Sequence, residues 1–498
     1  MNTMKKYIPI LLGVLLLASC GKDFLKKEPH VFTDAAFWKT AAQAEAALAG
    51  VYTPFQDEEA LGGEDWVGFE CFSDNAYMND NGYGDYISMN NFLATQNNMT
   101  GDLCGNAYKS YYQAIKRATD VLNNVPNITM DASQQKRILG EANFLLSFAY
   151  YQLAIRYGGL AIYSSTDPAE ALTRKTEAET WAVIENGLKE ATTQLGQSHE
   201  EGRPGLGAAW GMLAKVYAHE AKWAEAKAAA EQVTGSSLTA NYADVFTIPH
   251  EKDSEILWGL GARLGEYPIT PVLMLPNNVW NGLHEEPVGE GWRLVSGTVA
   301  FYDAYQPGDL RKAATVAKRG VDVITYNGST DVLQAPNNLS PIVCVKYNAP
   351  YKDNYTGWAA GLNVPAIRYA DVLLIHAEAI MMLNGGGPAN RTVGVAAAAQ
   401  SLNLVRNRAG LPSIAAPNFN NLMYERRMEL AFEGGDRHTD LIRWGLAAEV
   451  YNALPAEGGY KPKRTYVQAT HRLMPILQTE IDNSGGSIKQ NPGYAGAN

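Results

Sequence analysis

The stretch YERRMELAFEGGDRHTDLIRWG, residues 424–445, decides how the chain is read. Its first ten residues hold Glu425, Arg426, Arg427, Glu429 and Glu433, yet apolar residues run through them. Tyr424, Met428 and Ala431 or Phe432 recur at helical spacing, so one face of a helix is set to be buried. Glu425, Glu429 and Glu433 follow one another at one-turn intervals. Gly434 and Gly435 predict the end of that helix. A second short helix over 439–444 stops at Gly445, and the Gly pair lets it fold back, bringing Arg437 and Arg443 to the carboxylates. Two chemistries fit this pattern. One is a partly buried ion-pair network that fixes two helices at an angle. The other is a catalytic carboxylate pair. Every acid here has an Arg within a turn, which favours the network: a guanidinium keeps a carboxylate ionised, whereas a general acid needs a raised pKa.

With those residues in view, the stretch resembles the signature of the SusD/RagB family of outer-membrane lipoproteins, the nutrient-binding partners of SusC-type TonB-dependent transporters. IRYADVLLIHAEA, residues 367–379, resembles the family's second hallmark. Leu473-Met474-Pro475-Ile476 with Gln490-Asn491-Pro492-Gly493-Tyr494 resembles its third. The three lie in the family's order, and the resemblance runs from Cys20 to the tail. It names a role and leaves the ligand open.

The chain has 498 residues and a formal net charge of −11. An acidic surface argues against nucleic acid, whose phosphates call for Lys and Arg. Lys5 and Lys6 precede an apolar run from Ile8 to Leu17, too short to span a bilayer and shaped like a signal segment. It leads into Leu17-Ala18-Ser19-Cys20, which resembles a lipobox whose Cys20 thiol takes the lipid. Residues 1–19 therefore read as a lipoprotein signal peptide, and 20–498 as one domain anchored by Cys20 rather than spanning the membrane. Cys71, Cys104 and Cys344 remain, an odd number; Cys71 and Cys104 are candidates for a disulfide.

The periodicity predicts a mainly α fold. Helices are expected over 33–52, capped by Thr33 or Asp34, then over 107–125, 133–157 and 180–195. Residues 208–233 and 367–408 each read as a helix pair of tetratricopeptide kind, with Trp210 and Trp223 packed between helices. About four such pairs are expected to stack, each burying what its neighbour exposes. Long irregular excursions interrupt them at about 57–105 and 253–365, with a smaller one over 446–466. Strands are expected at 255–260 and 342–347.

Enzyme motifs are scarce. His219-Glu220, His250-Glu251 and His284-Glu285 lack the second His of a zinc protease, and there is no nucleophile elbow or phosphate loop. The 79–85 run lacks the spacing of an EF-hand. No cofactor is expected, a structural calcium held by loop oxygens being the weaker alternative. The excursions instead carry aromatic and amide side chains: Trp66, Asp74, Asn75, Tyr77, Tyr83 and Tyr86 in the first, Trp280 and Trp292 in the second. A sugar ring has an apolar face and a hydroxyl rim, which such side chains fit. The alternative for each is a plug in a small core beneath its loop.

The expectation is a surface-exposed outer-membrane lipoprotein that binds oligosaccharide and does no covalent chemistry. The resemblance implies that it caps a SusC-like TonB-dependent transporter. Three other readings stand beside it: peptide cargo, as in RagB-like members; a lipid-anchored glycoside hydrolase using Asp74 and Asp85; and a helical-repeat adaptor with its loop aromatics buried.

Overall fold

The computed structural model describes residues 37–56, 64–78, 84–99, 104–163, 172–197, 200–261, 295–326, 329–331, 340–347, 355–356, 359–360 and 362–496. Cys20, the signal segment, Thr33 and Asp34 lie outside them.

Eight helices form the scaffold: α1 (Ala41–Tyr52), α2 (Cys104–Asn124), α3 (Ala132–Tyr157), α4 (Glu177–Gln194), α5 (Leu206–His219), α6 (Trp223–Glu231), α7 (Tyr369–Leu383) and α8 (Ala399–Arg408). Each packs on the one before it, so the four pairs stack as a repeat array. Local chemistry places the ends. α1 starts at Ala41, later than expected, because Thr40 and Gln43 form a capping box. Asp131 caps α3 through two backbone N–H groups, and Thr176 with Glu179 closes a second box on α4. Gly158, at φ +76°, ends α3. Trp210 and Trp223 are half-buried against the core, as their spacing predicts. Gly211 of α5 faces Val372, Leu257 and Ile367, so α5 lies close on both α7 and the strands before it.

Three further helices follow: α9 (Phe419–Glu429), α10 (Asp436–Arg443) and α11 (Ala447–Ala453). They share a second apolar core with α7 and α8, built on Leu374, Leu402, Phe419, Leu441 and Trp444.

The described parts of the excursions hold regular elements. The first contains a short helix (Glu64–Gly68), the turn Phe69–Phe72, strand β1 (Ala76–Met78) and another helix (Gly84–Asn90). The second supplies β2 (Ile256–Leu260), β3 (Val295–Gly297), β4 (Val316–Lys318), β5 (Ile342–Cys344) and β6 (Val364–Arg368). β1, β3, β5 and β4 form an antiparallel sheet in that order. β1 aligns Tyr77 with Ser296, so the two excursions are stitched together. β2 and β6 form a separate antiparallel pair against α5. β5 stops at Cys344, short of the expected strand, because Tyr347 turns left-handed at φ +62°.

Candidate functional site

α9 delivers Glu425 and Glu429 into the interior and ends there, five residues before Gly434; Glu433 follows in the turn. All three carboxylates are buried. Arg406 donates to Glu425 at 2.6 Å, and Arg311 lies 2.9 Å from its other oxygen. Arg368 donates to Glu429 at 2.9 Å, to Glu433 at 2.6 and 2.7 Å and to Glu255 at 2.6 Å. Arg408 reaches Glu255 at 3.0 Å and also bonds Glu429. Lys346 pairs with Glu433 and donates to the Ala431 carbonyl at 2.7 Å.

Burial alone would raise Glu429; Arg408, Arg368 and Arg311 outweigh it and hold the carboxyl down to about 2. At Glu425 burial outweighs Arg311 and Arg406, and the carboxyl sits above its ordinary value. Each acid is nonetheless clamped by guanidinium groups and buried. The arrangement is the ion-pair network, more deeply buried than expected.

The second helix closes a neighbouring network, and here the expected pairing is corrected. Arg437 meets Asp74 at 2.8 Å, and Arg443 meets Glu378 and Asp440; neither reaches the three glutamates. Trp444, expected in the signature turn, donates its indole N–H to Glu378 at 2.7 Å. Arg426 bridges Asp371 and Asp440, and Lys215 bridges Asp371 and Asp436. The second hallmark thus supplies Arg368, Asp371 and Glu378 to both networks. The tail hallmark clamps the end of α3: Met474 N–H donates to the Arg156 carbonyl at 2.7 Å, and Asn491 donates to the Tyr157 and Met474 carbonyls at 3.1 and 2.6 Å.

The residues expected to touch ligand divide sharply. Trp66 is 6% exposed and donates its indole N–H to Tyr347 Oη at 3.1 Å. Asp74 is held by Arg427 at 2.8 Å and by Arg437. Asn75 donates to Glu70 at 2.7 Å and accepts from Arg427 at 2.7 Å. Tyr77 is 5% exposed, its ring edge-on to Tyr460. These four are corrected to interior roles: they join the first excursion to α9, α10 and the 347 turn. Asp85 is buried and accepts from the Cys104 N–H at 2.9 Å, so Asp74 and Asp85 do not flank a cleft as a hydrolase pair must. Tyr86 falls in the Gly84–Asn90 helix, but its side chain, with Tyr83, Trp280 and Trp292, lies outside the described residues. Cys71, Cys104 and Cys344 are free, buried thiols, so the candidate Cys71–Cys104 disulfide is not formed.

The described aromatic residues are buried or half-buried. No described group of His, Cys, Asp or Glu is placed to hold a metal ion, and no described helix is long and apolar enough to cross a membrane. Two open clefts border the second excursion. One, of about 790 Å³, lies beside β2; the other, of about 600 Å³, is lined by Phe246, Leu310, Val316, Val323 and Tyr347. Sequence reading missed both, since each is walled by segments far apart in the chain.

A helical-repeat scaffold, a signature made of buried ion pairs and an irregular flank define the class of fold. Known proteins place the chain more closely. The profile described as "SusD family" matches residues 274–494, and one described as "Starch-binding associating with outer membrane" matches 23–218. SusD-like protein P25 of Formosa agariphila is 26% identical over 528 aligned positions, 95% of this chain and 96% of that protein. The solved structure of a laminarin-binding SusD-like protein superposes with a TM-score of 0.74 at 25% identity, covering 92% of this chain and all of that one. Surface glycan-binding protein A from Bacteroides thetaiotaomicron, solved with laminarihexaose, gives 0.74 at 21% identity over 91% of this chain and 99% of that one. The chain belongs to the SusD/RagB family.

Proposed function

We propose that this protein is a surface-exposed outer-membrane lipoprotein, anchored through Cys20, that binds neutral oligosaccharide and passes it to a SusC-like TonB-dependent transporter. The observation that carries the reading is family membership at both ends of the chain, together with the likeness of the whole fold to a laminarin-binding relative. Its interior agrees: the charged groups of the signature each face a charged partner, within the signature or from other segments, which suits a rigid binder that does no covalent chemistry. The aromatic platform for sugar is assigned to Tyr83, Tyr86, Trp280 and Trp292, the candidate rings of the two excursions.

The test is a binding screen of the chain from residue 21 against polysaccharides, laminarin and starch among them. Retention by one glycan class supports the reading. Retention by none, with no TonB-dependent barrel co-purifying with the tagged protein, overturns it. The helical-repeat adaptor is the second reading, favoured by the burial of Trp66 and Tyr77; it predicts that a protein partner is captured and no glycan is.

A further inference from the structure

The cleft beside β2 is bounded by Gln197, the 201–203 turn, the 234–236 segment after α6 and the 251–254 turn. Where Gly259 lines it, the wall is backbone. Opposite Gly259 in the β2–β6 pair stands Pro365, which has no N–H. An antiparallel pair containing proline cannot exchange both bonds of a hydrogen-bonded pair, so this one is of the other kind, and the N–H and C=O of Gly259 point away from β6. Among the described residues no strand pairs with β2 on that side. Gly202, Gly207 and Gly235 also line the cleft, and a Cβ at Gly235 would meet nothing within 4 Å. A second backbone therefore has room to come close.

The lining favours a polypeptide over a sugar. Its one described aromatic residue, Trp258, is 1% exposed, packs edge-on to Phe144 and Phe148, and gives its indole N–H to the Gly202 carbonyl. Trp258 therefore offers no ring face to a pyranose. The charged groups are mostly matched already: Lys252 with Glu201 at 2.9 Å, Arg203 with Glu141 at 2.7 Å, and Asp253 with Thr239 at 2.8 Å and His250 at 2.9 Å. Glu251 is different. It accepts the Asn363 N–H at 2.5 Å on one oxygen, and no described cation lies within ion-pair distance of it.

We propose that this cleft binds an extended polypeptide segment, which adds to β2 as a third strand at Gly259 and sets a basic side chain against Glu251. Backbone bonds to the strand edge give affinity, and the carboxylate selects among sequences. The site is separate from the glycan reading and stands or falls without it.

The test uses the chain from residue 21 with a tryptic digest of casein, whose peptides end in Lys or Arg. Retained peptides are identified by mass spectrometry, and amide exchange is followed over 256–260. The inference expects peptide retention and exchange slowed about tenfold in that segment. Thr234→Trp, an exposed position at the cleft mouth, abolishes both while leaving the melting temperature and any glycan affinity as in the parent. Glu251→Gln weakens retention about tenfold. The inference is overturned if no peptide is retained, if the slowed segment lies elsewhere, or if laminarihexaose rather than the digest protects 256–260.

Discussion

Gly434 sits against the ring of Trp66 so closely that a Cβ there would lie 2.4 Å from Trp66 Cζ3. The same glycine has φ +70° and gives its N–H to the Trp66 carbonyl at 3.1 Å. Its neighbour Gly435 stands likewise against Phe69, 2.2 Å from the ring for a Cβ. The Gly pair of the signature thus does two things. It turns the chain left-handed between α9 and α10, and it admits the aromatic rings of the first excursion. Gly434→Ala meets both the backbone penalty and the clash, so it is expected to lower stability by about 2–4 kcal/mol, read as a fall in melting temperature.

Arg368 stands among Glu255, Glu429 and Glu433 with almost no solvent access. Removing it strands buried carboxylates without their counter-charge. Arg368→Met is expected to cost about 3–5 kcal/mol in denaturant unfolding. Adding Glu433→Gln should recover part of that loss, because one stranded charge is then gone. A double mutant no better than the single would show that Glu433 does not depend on Arg368.

Glu70 gives a pH prediction of unusual sign. Burial pushes its carboxyl up to about 8, even though Asn75 and Ser73 donate to Oε1. Oε2 has no partner, so the acid proton belongs there. Below about pH 4.5 folded and unfolded chains both carry the proton, and Glu70 contributes its full share of stability. As pH rises toward 8 the unfolded chain gains by ionising while the folded one stays neutral, and that share is lost, at about 1.4 kcal/mol per unit. Glu70→Gln cannot ionise. Its melting temperature should exceed the parent's at pH 8 and match it near pH 5. Glu429, held down to about 2, works the other way and loses its contribution as pH falls from about 4.5 to about 2.

How much of this was legible beforehand depends on how far apart the partners lie. The repeat helices declared themselves through local period, and their ends through caps within four residues. α9 was expected to run to Gly434 because apolar residues continue, but Phe432 turns left-handed first. The first excursion was harder. Asp, Asn, Trp and Tyr in a Gly-rich stretch read alike as a sugar platform or as a polar layer inside the protein. What decides between them is Arg427 and Arg437, more than 350 residues away from Asp74 and Asn75. The tail hallmark and α3 meet across a similar span, so no local pattern could place them.

The thiols offer a cleaner check. Cys71, Cys104 and Cys344 are all buried and free, and burial pushes each thiol above its ordinary value. None should react with a thiol reagent in the native chain from residue 21, and three should react after unfolding. Adding reductant should leave the melting temperature unchanged. A reductant-dependent melting temperature would point to a disulfide that this fold does not contain.

The two groups of aromatics separate binding from folding. Trp66 fills the space beside Gly434 and bonds Tyr347, so Trp66→Ala should lower stability by about 3–5 kcal/mol through the cavity and the orphaned partner. Its effect on glycan affinity, measured on the fraction still folded, should be nil. Trp280→Ala is expected to do the reverse: an unchanged melting temperature and about tenfold weaker binding, near 1.4 kcal/mol. Isothermal titration with the glycan found in the screen, beside thermal unfolding of the same preparations, reads both. If Trp66→Ala weakens binding in fully folded protein, the platform reaches into the interior layer of the first excursion. If Trp280→Ala binds as the parent does, the second excursion does not carry the site, and Tyr83 becomes the next ring to remove.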